Sequence, residues 1–138
     1  METQIKNLAL EDNRIIFVGN LPRKDVLKFE SEATIVVNPR QPNGGFTRYS
    51  FPSKNLEYLS SGTPLVCYKL EGIPDEYDDY CFYVKGKSAK DLADTMKFVC
   101  ELDELYLFRF GERAREFVLE NKTGKTQANK ILKLIDRI

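Results

Sequence analysis

FPSKNLEYLSSGTPLV, residues Phe51 to Val66, reads as a helix that runs straight into a strand, and this succession decides the fold. The helix is expected over Ser53 to Ser61, stopped by Gly62, with an apolar strand PLVCY from Pro64 to Tyr68 behind it. Three more runs share the strand's character: RIIFVG (Arg14 to Gly19), TIVVN (Thr34 to Asn38) and CFYV (Cys81 to Val84). All are β-branched or aromatic and none alternates cleanly, the pattern of strands covered on both faces in a parallel sheet. A helix from Arg23 to Glu32, with Pro22 near its start and Val26, Leu27 and Phe29 as its apolar members, separates the first two. Parallel neighbours need crossovers of this length, so the chain is expected to be α/β, with about four strands and flanking helices.

The remainder reads as helical. Ser88 can cap a helix carrying Leu92, Met96 and Val99 on one face. Leu107, Phe110, Ala114 and Phe117 mark a second helix, and Ala128, Ile131, Leu132, Ile135 and Ile138 a third, each stripe being read as core. Ile5, Leu8 and Ala9 suggest a short amphipathic helix at the start, feeding the first strand through the polar turn Glu11 to Asn13.

Composition narrows the chemistry. A chain of 138 residues suits one domain, residues 1–138, which would bury about two thirds of its unfolded surface. The 21 basic and 21 acidic side chains balance, so no global field draws in a polyanion and no nucleic acid is expected as partner. Histidine is absent, which removes Ser-His-Asp and Cys-His chemistry and the common zinc sites. Cys67, Cys81 and Cys100 lack CxxC spacing, and Cys67 and Cys81 read as buried thiols. No metal site or other cofactor is evident. No apolar run approaches a membrane span and the N-terminus is too polar for a signal peptide, so the expected location is cytoplasmic.

Chemistry concentrates in the loop NPRQPNGGFTRYSFP, Asn38 to Pro52, because open α/β sheets bind ligands beyond the C-terminal ends of their strands. Gly44 and Gly45 would let backbone approach a ligand, although on glycine alone a surface turn is the simpler reading. The helix opening at Ser53 offers unpaired N–H groups suited to phosphate. Ser53 could cap it or bond a phosphate oxygen. Lys54 is misplaced for helix electrostatics unless an anion visits, the alternative being a solvated lysine. Glu57, one turn on, could accept from paired sugar hydroxyls, the alternative being a solvent-facing side chain.

Glu57-Tyr-Leu-Ser-Ser-Gly-Thr-Pro-Leu-Val66 resembles the second half of the E-x7-E donor signature of retaining GT-B glycosyltransferases of family 4. Phe51-Pro-Ser-Lys54 is similar to the wording of one subgroup, and RIIFVGNLPRKDV with ATIVVNPR is similar to the strand, helix and strand preceding the signature. The resemblance implies a Rossmann-like domain that binds a nucleotide-diphosphate sugar and transfers the sugar with retention. In that scheme Glu57 holds the ribose hydroxyls, the backbone of Gly44, Gly45 and Phe46 borders the sugar, and Phe51 to Lys54, including Ser53, faces the diphosphate. Lys54, and after it Arg48, would stabilise the departing phosphates.

Two departures qualify the resemblance. The first glutamate of the signature falls on Tyr49, which cannot supply a carboxylate. The two opening strands of the family's C-terminal half, with their diphosphate-gripping Arg and Lys, are not present, and neither is the acceptor-binding N-terminal half. The expected partners are therefore a nucleotide-diphosphate sugar and a separate N-terminal domain, with the inner membrane face as an alternative location for such a longer enzyme. The Ile15 strand, deprived of its usual neighbours, is expected either to move against the Thr34 strand or to expose an edge that associates with another chain.

Two rival readings compete with this one. IIFVGNLP resembles one sheet motif of an RNA-recognition module and GGFTRYSF more loosely the other, which would have Phe17 and Phe46 stacking bases. A non-enzymatic α/β interaction domain would use the acidic run Asp75, Glu76, Asp78 and Asp79, otherwise read as a solvated face.

Overall fold

The computed structural model describes residues 2–42 and 45–136, without the side chain of Phe46. Among these the chain forms helices α1 (Glu2–Glu11) and α2 (Arg23–Glu32), strand β1 (Val36–Asn38), helix α3 (Ser53–Ser61) and strands β2 (Leu65–Cys67) and β3 (Cys81–Tyr83). Helices α4 (Ala89–Cys100), α5 (Glu104–Asn121) and α6 (Gly124–Ile135) follow. Short 3-10 helices cover Gly45–Arg48 and Asp75–Tyr80. The strands lie in the order β1-β2-β3, all parallel, with Val36 opposite Leu65 and Leu65 opposite Cys81.

The expected helices of the first half form where proline and glycine punctuate the chain. Pro22 precedes α2, and Gly62, at φ 82°, ends α3 in the left-handed conformation with its N–H on the Leu59 carbonyl. Ser88 caps α4 in a reciprocal box with Asp91. The core is built by Leu59, Leu65, Val66, Tyr68 and Leu70 around the sheet, closed by Val99 of α4 and Leu107, Ala114 and Val118 of α5. Cys67 and Cys81 are buried here as free thiols.

Helices α3 and α5 pack together most extensively, and a glycine permits it: a Cβ on Gly111 would land on the carbonyl oxygen of Gly62. The 3-10 helix after β2 is fastened to the same wall. Tyr77 and Tyr80 contact the Phe117 ring edge-on and stacked, at 5.3 and 4.3 Å, and Lys122 lies over both Tyr77 and Phe117 while pairing with Glu76. Asp75 and Asp78 both engage Lys69. The acidic run is exposed, as the sequence suggested, and Asp75, Glu76 and Asp78 pair with lysines from that solvated face.

Two expectations are corrected. The sheet has three strands, because Ile15 to Val18 lies outside it: the stretch leaves a turn closed by Ile15 N–H on Asp12 O, and Ile16 is 80% exposed. Its β-branched residues favour extension, but a strand needs a neighbour to supply hydrogen bonds. It therefore does not dock against the Thr34 stretch. The open edge on that side belongs to β1, whose Val36 N–H bonds the Pro64 carbonyl, leaving the main chain of Val37 directed away from β2. The apolar stripe of α6 is not core either, since Ile131, Leu132 and Ile135 are each more than half exposed and the helix buries no residue. Ile138 lies outside the described residues. Helix α1 forms as expected and, like α6, buries no residue.

Candidate functional site

The start of α3 is placed by β1. Asn38, the last residue of the strand, donates its side-chain amide to Asn55 Oδ1 at 2.6 Å and accepts the Arg40 N–H at 3.2 Å. Asn55 is 2% exposed. This buried amide pair holds the first turn of α3 at the C-terminal end of the sheet, where parallel α/β sheets present their ligands. Pro52, with no side-chain hydrogen bond, occupies the N-cap. Ser53 is therefore the first helical residue and not the cap, and its side chain is exposed. Helix geometry leaves the first amides of this turn without preceding carbonyl partners, although Asn55 N–H already bonds the Pro52 carbonyl at 2.9 Å.

Lys54 and Glu57 lie one turn apart and touch: the Lys54 ammonium bonds Glu57 Oε1 and, at 2.7 Å, Glu30 Oε1 from α2. Arg23 approaches Glu57 Oε2 at 3.7 Å. The Tyr58 ring lies under the same ammonium, 5.0 Å to its centroid. Lys54 is thus neither a solvated lysine nor a lone cation. Partial burial opposes its charge, but the hydrogen bonds and charges of Glu30 and Glu57 outweigh that and push its pKa up to about 12. The hydrogen bond from Lys54 holds the Glu57 carboxyl below its ordinary value against the opposing effect of burial.

Glu30 was not anticipated. It is the one buried residue that α2 contains, 6% exposed, whereas Leu27 and Phe29, expected to be apolar members of that helix, face outward. Its position four residues after Val26, hence on the same face, is the signal the sequence offered. Thr63, just beyond α3, donates its hydroxyl to the Glu30 carbonyl at 2.6 Å, which fixes α2 against the helix end. Glu30 Oε2 is buried with no hydrogen-bond partner among the described residues. Both Glu30 and Lys54 line a cleft of 390 Å³, walled by Val18, Gly19 and Leu21 on one side and by Val36 and Val37 of β1 on the other.

The other expected residues disperse. Gly45 opens the 3-10 helix Gly45–Arg48, exposed and with open space where a Cβ would stand, so no positive φ or close approach requires glycine there. Gly44 and the side chain of Phe46 lie outside the described residues. Arg48 turns to Glu71 at 3.0 Å and stacks by Tyr49, which is exposed. The loop returns to α3 through Ser50, whose backbone a Cβ on Gly72 would strike, and through Phe51, 4.9 Å from the Tyr77 ring.

Neither rival reading gains a site. Phe17 and Phe46 are in no strand, so they form no stacking platform. Of the acidic run, Asp75 and Asp78 pair with Lys69 and Glu76 pairs with Lys122. Among the described residues no group of three or more His, Cys, Asp or Glu side chains is arranged to hold a metal ion, and no helix is long and apolar enough to cross a membrane.

Residues 1–117 match the model of the family described as Glycosyl transferases group 1. No curated protein and no solved structure matches the chain. The match runs from α1 through most of α5 and takes in the whole Asn38 to Ser61 region, leaving α6 outside.

Proposed function

We propose, because this chain belongs to the family of glycosyl transferases group 1, that it is the donor-binding part of a retaining GT-B glycosyltransferase. In this reading it holds a nucleotide-diphosphate sugar while a separate N-terminal domain holds the acceptor, and by itself it does not complete the transfer. One observation carries the reading: a cation and a carboxylate, Lys54 and Glu57, stand together on the first turns of the helix that β1 delivers to the ligand end of a parallel sheet.

The chemistry asked of the two side chains suits their electrostatics. The leaving diphosphate gains negative charge as the sugar departs, and a positioned cation favours that state over the ground state. Lys54 stays protonated throughout the physiological range, and after its bonds to Glu30 and Glu57 an ammonium has one N–H left to offer a phosphate oxygen. The ionised Glu57 carboxylate accepts from the two ribose hydroxyls. Ser53 adds an exposed hydroxyl and the first amides of α3, and Gly44, Gly45 and Phe46 border the sugar from the loop.

Titration with uridine or guanosine diphosphate, followed by amide chemical shifts, tests this. Shifts centred on Gly44, Gly45, Ser53 and Glu57 are expected. A response only to short single-stranded RNA, centred on Phe17 and Phe46, would overturn it.

A further inference from the structure

Glu30 is out of place as a purely structural residue. A carboxylate loses several kcal/mol of hydration on burial, and a salt bridge recovers this only when its remaining lone pairs are also satisfied. Here one oxygen holds Lys54 at 2.7 Å and the other has no partner among the described residues, although the residue is 6% exposed. Both side chains line the 390 Å³ cleft beside β1. The arrangement leaves Lys54 clasped by two carboxylates from two helices, with Arg23 touching Glu57 alone.

We infer that Glu30 competes with the donor's diphosphate for Lys54, holding the ammonium back in the empty site and so setting how tightly a nucleoside diphosphate binds. The inference rests on the donor-binding reading of Lys54 and deepens it. An arriving diphosphate draws the ammonium toward itself, and each increment of that movement leaves Glu30 less compensated in a buried position. Donor affinity is therefore lowered by what it takes to loosen the Glu30 to Lys54 bond. Product release gains correspondingly, since the lysine has a waiting partner once the nucleoside diphosphate leaves. Glu30 acts through Lys54 and touches no substrate, which makes it a positioning residue.

The experiment compares the affinity of uridine diphosphate for four proteins: wild type, Glu30→Gln, Lys54→Met and the double variant. Gln keeps the side-chain volume and leaves the Thr63 bond to the Glu30 backbone untouched. Glu30→Gln is expected to bind about tenfold more tightly, the scale of one nearby opposing charge at a partly exposed site. Lys54→Met is expected to bind more weakly, and the double variant to match Lys54→Met, because the competitor has nothing left to compete for. Unchanged or weaker binding by Glu30→Gln overturns the inference. Equal tightening with and without Lys54 also overturns it, since the effect would then be charge acting through space. Should Glu30→Gln fail to fold, Glu30→Asp, which keeps the charge but falls short of Lys54, must still tighten binding. Binding by none of the proteins overturns the donor reading itself, whereas binding indifferent to Lys54→Met overturns this inference together with the role given to Lys54 and leaves the donor reading standing.

Discussion

The side-chain amide of Asn38 donates to Asn55 Oδ1 across 2.6 Å, joining the last residue of β1 to the first turn of α3 with no solvent between them. The pair converts a loop of uncertain length into a helix start of defined place. The Asn55 side-chain amide in turn donates to the Cys67 sulfur of β2 at 4.0 Å, so Asn55 bridges two strands.

Replacing Asn55 with Ala is expected to destabilise the fold by about 1–3 kcal/mol, because it leaves the half-buried Asn38 donor without its partner as well as removing a fully buried amide. Urea denaturation gives the value. A double variant with Asn38→Ala should cost less than the two single losses added, since the bond can be lost only once.

Leu59 is fully buried in α3, and Leu59→Ala is expected to cost about 2–5 kcal/mol in the same assay. Ile131→Ala on α6, where the residue is 58% exposed, should stay within about 0.5 kcal/mol. A large loss at Ile131 would mean that the stripe on α6 is covered in solution.

Glu57→Ala is expected to weaken nucleoside diphosphate binding by about a hundredfold or more, the scale of two hydrogen bonds to a charged group at about 1.5 kcal/mol or more each. The thermal midpoint should move little, because Lys54 retains Glu30 and Arg23 is already exposed. Unchanged binding would remove Glu57 from the ribose role.

The Lys54 cluster also predicts how stability depends on pH. The Lys54 pKa is raised in the fold, so its contribution is fully present below 10.5 and is lost as pH rises through about 12. The Glu57 pKa is depressed, so its contribution is present above the ordinary value of 4.5 and is lost as pH falls below it. The difference in melting temperature between wild type and Lys54→Met should therefore form a plateau between these limits and shrink beyond each. Because Lys54 is partly exposed, added salt should lower the plateau.

Much of the fold was legible because punctuation is local. Pro22, Gly62 and the Ser88 to Asp91 box set their helix ends within a few residues of sequence, and β-branched runs marked the three parallel strands. Ile15 to Val18 carried the same local signature and yet is no strand, because a ladder is a property of two segments and none of the described strands pairs with it. The stripe on α6 announced an amphipathic helix correctly, but periodicity does not say what lies opposite the apolar face. At the site, Lys54 and Glu57 could be found from the helix start they share. Glu30 could not be assigned, since its meaning comes from the packing of α2 on α3, which no spacing within either helix reveals.

The contact of Gly111 with Gly62 bears on the site from its far end. Helix α3 is about 13 Å long at 1.5 Å per residue, hinged where the two backbones meet and carrying Lys54 near its other tip. Any bulk inserted at that joint works as a wedge under a lever: the helix tips about its C-terminal end and the tip travels furthest. A methyl group placed on α5, remote in the chain from every donor-facing residue, would displace the Gly62 carbonyl it strikes and, through the helix, the alignment of the clasped lysine.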